Sequence, residues 1–186
     1  MTVSCAENPN LRAAARVFGL LLLREVDDQL LEEFGSPELL QWFAQQGLPM
    51  PAPGDKKAQD ALAAEYFEAL INPKDATPPV HSLAIGGGYE GDPAAGIRRV
   101  AKELGAELSP EASRGAPVDH LGSELMLWSE IAARSPHSAP AFAKEFLSWA
   151  PAWCHARAGK TTGFYHSLFR MTADFAGVIV EEELGD

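Results

Sequence analysis

The chain is poor in basic residues and in cysteine, and it has no long apolar run. Fifteen Lys and Arg stand against 26 Asp and Glu, a formal net charge of −11. That argues against nucleic acid, whose phosphates need a basic surface, and is compatible with a basic partner such as an arginine-bearing peptide. Two cysteines, Cys5 and Cys154, do not make a disulfide framework, and neither belongs to a CxxC pair that would suggest zinc. The apolar stretch Phe18 to Leu23 is too short to span a bilayer and is flanked by Arg16 and Arg24. Met1 to Asn10 is polar and lacks the basic start and apolar centre of a secretion signal. The expectation is a cytoplasmic protein with no stable membrane insertion. Strand alternation flanked by turn residues is missing too, which argues against a sheet.

What the sequence has is helical periodicity punctuated by proline and glycine. Its 186 residues are 46% hydrophobic, enough for one domain with its own core. Asn8-Pro9 is a cap followed by a first-turn proline, and Leu11, Ala15, Phe18, Leu22, Val26, Leu30 and Phe34 continue one stripe up to Gly35. This predicts a single helix from Pro9 to Phe34. Ser36-Pro37 starts a second, short helix. Further helices are expected over Lys56 to Ile71, Pro93 to Leu104, Pro117 to Ala133, Pro140 to Ala150 and Gly163 to Val178, with a short segment at His81 to Ile85 and one turn at Ser109-Pro110. Phe142, Phe146, Trp149 and Trp153 form an aromatic stripe that reads as core. The fold class is all-α, a single globular bundle-like domain of roughly seven to ten helices. An N-terminal lobe (1–108) and a C-terminal lobe (117–186) would be joined by a hinge at 109–116.

The hinge carries the most chemistry. Gly115-Ala116-Pro117-Val118-Asp119-His120 leads into a stripe of Val118, Leu121, Leu125, Trp128 and Ala132. Pro117 is expected in the first helical turn, Asp119 in the same turn where the dipole favours an acid, and His120 and Glu124 stacked on one face four residues apart. A bland reading competes at each position: acids are common in first turns, and a lone histidine is usually structural.

Enzyme patterns fit poorly. Gly159-Lys160-Thr161 resembles the end of a phosphate loop, but Cys154 stands where a glycine is needed and helical residues precede it. His120 and Glu124 offer two metal ligands without a matching pair elsewhere, so no metal and no cofactor is expected. Asp119 and His120 are adjacent, pointing about 100 degrees apart on a helix, a poor arrangement for a triad. The chain is not expected to be an enzyme. The rival readings are a helical metal-dependent hydrolase using His120, Asp119 and Glu124, and a non-catalytic helical scaffold.

Three blocks together resemble the TorD/DmsD-type redox-enzyme maturation proteins, cytoplasmic chaperones of exported molybdoenzymes. Gly115-x-Pro117-x-Asp119-His120 with Glu124-Leu125 is similar to the family's hinge motif. Glu65-Tyr66-Phe67-Glu68-Ala69-Leu70-Ile71, with Pro78-Pro79 and Ser82-Leu83, resembles an earlier block. Phe146-Leu147-x-Trp149 and Phe164-Tyr165-x-x-Leu168 fall where the family has similar residues. Glu68 departs from the family's usual arginine and Ile71 from its usual aromatic, which bears on the client rather than the fold. The resemblance implies a chaperone that binds the twin-arginine leader and folded core of a molybdoenzyme precursor and assists cofactor insertion before export. It implies leader-binding roles for Phe67, Leu70, Ile71, Gly115, Pro117, Asp119, His120 and Glu124, with Leu70 also readable as plain core and Glu124 as a solvated or capping acid. A monomer and a domain-swapped dimer are both compatible with the proline- and glycine-rich connections. No residues support carrying over the guanine-nucleotide interaction reported for some members.

Overall fold

The structure, a computed structural model, describes residues 4–35, 37–72 and 78–181. All regular structure among them is helical: eleven α-helices, a π turn and a 3-10 turn, with no strand. They are α1 (Pro9–Leu23), α2 (Asp28–Phe34), α3 (Pro37–Gln45), α4 (Lys56–Tyr66), α5 (His81–Ala84), α6 (Asp92–Glu103), α7 (Pro110–Ser113), α8 (Leu121–Arg134), α9 (Ala139–Phe146), α10 (Ala150–Ala158) and α11 (Gly163–Val180). The π turn, Phe67–Ile71, continues α4, and the 3-10 turn, Pro136–Ser138, precedes α9. Among the described residues no helix is long and apolar enough to cross a membrane.

The chemistry of the ends explains most boundaries. Asn8 accepts from the Asn10 amide, Asp55 from Ala58 and Ser109 from Ala112, each satisfying a donor that the helix itself leaves over. The predicted single helix from Pro9 to Phe34 is two helices. Arg24 takes an extended backbone, and Asp27 accepts from the Leu30 amide at 2.8 Å, opening a new helix. Arg24, almost wholly buried, pairs with Asp27 at 2.7 Å and Glu33 at 3.0 Å across the break. A short acid that caps locally competes with helix continuation, and here it prevails while Val26 keeps the apolar stripe in the core. The Ser36 start lies outside the described residues. At α11 the cap comes from another helix: Glu65 Oε2 accepts from the Phe164 amide at 3.0 Å, and Thr162 makes no side-chain cap.

The predicted lobes share one hydrophobic core. α8 runs through it, with every residue from Leu121 to Ser129 buried. α1 lies against α8 at a glycine contact, where a Cβ on Gly19 would come within 2.8 Å of the Gly122 carbonyl and one on Gly122 within 2.7 Å of the Gly19 carbonyl. Two bare backbones thus let the helices approach closely. α10 packs on α11, and α4 on α11 through Tyr66 and Tyr165. Trp149 and Trp153, expected in the core, are only partly buried.

Candidate functional site

The hinge segment departs from the expected helix in a specific way. α8 begins at Leu121, and His120 is its cap: Nδ1 accepts from the Gly122 amide at 3.1 Å. Pro117 therefore is not a first-turn residue. Its carbonyl accepts from the His120 amide at 3.0 Å, closing a turn ahead of the helix. Asp119 likewise precedes the cap. The backbone bonds that an earlier start would need are taken by the stretch around α5. The His81 amide donates to the Asp119 carbonyl at 2.8 Å, the Leu121 amide donates to the Pro79 carbonyl at 2.7 Å, and Val80 and His120 form an isolated antiparallel bridge. Further back, Arg114 and Gly115 both have positive φ (53° and 72°), so the glycine supplies a conformation that side chains disfavour.

The side chains follow this pairing. Asp119 is fully buried, and its Oδ2 accepts from the Ser82 amide at 3.1 Å and from the Ser82 hydroxyl at 2.5 Å. Its Oδ1 is buried without a hydrogen-bond partner. Glu124, also fully buried, does not stack on His120. It faces His81, whose Nδ1 lies 3.2 Å from Oε1, and accepts from Trp149 Nε1 at 2.9 Å. His81 stacks on Trp149, ring centroids 5.2 Å apart. The Ser82 hydroxyl accepts from the Gly91 amide at 3.1 Å. Residues 37 and 43 positions apart in sequence are thus locked into one polar knot at the start of α8.

Burial decides the charge of this knot. It pushes the Glu124 carboxyl well above the usual range, opposed by the Trp149 hydrogen bond. It lowers the His81 imidazole, opposed by Asp119. Both shifts favour a neutral pair near pH 7, a protonated Glu124 donating to an unprotonated His81 Nδ1. Burial also lowers His120 to about 4, again opposed by Asp119. Protonation there would remove the lone pair that caps α8.

The remaining candidates divide by burial. Leu70 is core, 2% exposed. Phe67 and Ile71 are 47% and 52% exposed on the π turn. That turn is held from below: buried Arg157 of α10 donates from Nη2 to the Ala69 carbonyl at 2.6 Å. Such widened turns are often found at functional sites. A run of ring contacts joins the two halves: His81–Trp149, Trp149–Trp153, Trp153–Phe169, Phe169–Tyr165 and Tyr165–Tyr66. Arg114, exposed beside Gly115, lies within electrostatic reach of the Tyr66 hydroxyl. His81 and Ser82 escape a reading of the hinge alone because their partners are distant in sequence; the resemblance blocks contain Ser82 and Trp149 without assigning them a role.

His120, Asp119 and Glu124 are each turned to a different hydrogen-bond partner. Among the described residues, no group of three or more His, Cys, Asp or Glu could hold a metal ion. No family model, curated protein or solved structure matches the chain.

Proposed function

We propose that this chain is a chaperone that binds the twin-arginine leader of a molybdoenzyme precursor in the cytoplasm and holds the precursor until its cofactor is inserted. The resemblance of three sequence blocks supplies the client class. The observation that carries the reading is the exposed pair Phe67 and Ile71 on a braced π turn, joined by the aromatic run to buried acids at the hinge. Such a leader presents two arginines followed by an apolar run. It calls for apolar side chains at the surface and carboxylates for the guanidinium groups. Phe67 and Ile71 take the apolar run, and Gly115 and Pro117 shape the rim beside it. Asp119 is the arginine acceptor, His120 fixes the backbone next to it, and Glu124 sets the position of His81. Leu70 supports the π turn from the core and does not touch the leader.

Calorimetric titration with a leader peptide tests this. Asp119→Asn keeps an oxygen for Ser82 and removes the charge. Loss of one charge-assisted hydrogen bond, roughly 1.5–3 kcal/mol, weakens binding about 10- to 100-fold. The salt dependence of affinity becomes shallower in this variant, because one screened ion pair is gone. Unchanged affinity in folded Asp119→Asn and His120→Ala would remove the hinge from the binding site.

A further inference from the structure

The stretch from Pro78 to Gly91 covers the start of α8 with both backbone and side chains. Pro79, Val80 and His81 pair with Leu121, His120 and Asp119 along the chain. Ser82 gives Asp119 an amide and a hydroxyl, and His81 meets Glu124. Asp119 is nevertheless under-served. One oxygen is held only by the neutral Ser82, the other has no partner, and no Lys or Arg among the described residues pairs with it. A buried carboxylate in this state is costly to keep. A guanidinium, with a planar fork of donors and a full charge, would satisfy both oxygens.

We propose that this stretch is a built-in plug: Ser82 and His81 occupy the acceptor site that an arginine of the leader takes, so that leader binding and release of the plug are one event. The proposal rests on the leader-binding reading above. The plug is suited to release. α5 has four residues, too few to persist as a helix by itself. It runs into Gly86, with φ of 83°, and then Gly87 and Gly88. Gly87 donates to the Ser82 carbonyl at 2.8 Å, and a Cβ there would come within 2.9 Å of that carbonyl oxygen, so Ser82 is gripped by a turn that glycine permits. Ile85 and Tyr89 stand exposed further along the same stretch. While Ser82 holds Asp119, only the fraction of molecules with the plug released can bind, and the apparent affinity is reduced by that fraction.

The test is hydrogen exchange on the whole chain, with and without a synthetic peptide carrying two arginines followed by an apolar run. The plug predicts that the bound peptide speeds exchange of the amides of 80–91, Ser82 and His81 foremost, while the later turns of α8 stay protected. It also predicts that Ser82→Ala, which removes one competing donor, binds the peptide about tenfold more tightly. Binding with unchanged or slower exchange at 80–91 overturns the plug and leaves the leader reading standing. Failure of the peptide to bind at all overturns both. Equal or weaker binding by folded Ser82→Ala also overturns the plug, and the exchange experiment on the unaltered chain decides the matter if that variant does not fold.

Discussion

Replacing Glu124 with glutamine and with alanine separates two accounts of the buried knot. If Glu124 is protonated and His81 neutral, the acid donates to His81 Nδ1 and its carbonyl oxygen accepts from Trp149 Nε1. Glutamine reproduces both bonds, its amide donating where the hydroxyl did. Glu124→Gln should therefore cost less than about 1 kcal/mol at pH 7. Alanine takes the carboxyl partner from the buried His81 and opens a cavity where the fully buried Glu124 side chain stood. Trp149 keeps a second acceptor, the Phe146 carbonyl at 2.9 Å, so its loss is partial. An unsatisfied buried group costs about 1–3 kcal/mol and the cavity adds to that, giving about 2–4 kcal/mol for Glu124→Ala. Urea melts at about pH 6 and 8 measure both variants and read the direction in which stability changes with pH. The folded chain holds a proton on Glu124 above the ordinary value of 4.5, so this group's contribution is full at low pH and falls as pH rises toward its raised folded value. Glu124→Gln should lack that decline. Equal destabilisation by Gln and Ala, with the alkaline decline retained in Glu124→Gln, would refute the neutral pair, because an ionised Glu124 would accept from both neighbours and glutamine could match only one.

Three further outcomes concern other parts of the fold. Gly122→Ala places a Cβ against the Gly19 carbonyl and Leu23, and should cost about 1–3 kcal/mol in chemical denaturation through separation of α1 and α8; a neutral result would contradict the close approach. His120, lowered from 6.5 to about 4, binds its proton in the unfolded chain first, so stability should fall as pH drops from 6.5 toward 4, at no more than about 1.4 kcal/mol per pH unit, and His120→Asn, which can still cap α8, should flatten that slope. Phe67→Ser and Ile71→Ser alter exposed side chains and should leave the melting temperature within the effect of about 0.5 kcal/mol while weakening leader binding; loss of stability with intact binding would assign them to packing.

Most helices were legible because their signals are local: Asn8 and Ser109 cap where the sequence places them, and Gly35 stops α2 with a φ of 64°. The start of α8 was not legible in the same way. Pro117 and Asp119 have the chemistry of a first turn, but the Pro79–Ser82 stretch draws off the backbone groups that turn would use. Asp27 illustrates a different failure, in which a caps-forming acid interrupts a stripe that is continuous by periodicity. The candidate site was half legible. Its acids and His120 lie together in sequence, whereas His81, Ser82 and Trp149 reach them only through the fold. Burial also rules out the reading of Glu124 as a solvated acid, because its side chain lies wholly beneath the surface.

Leader recognition is tested most directly by titrating the chain with two peptides that differ only in the paired residues, two arginines in one and two lysines in the other, each followed by the same apolar run. A forked guanidinium site predicts that the arginine peptide binds about tenfold or more tightly, with an advantage that shrinks in Asp119→Asn. Equal affinity for the two peptides, or no binding of either, would contradict it.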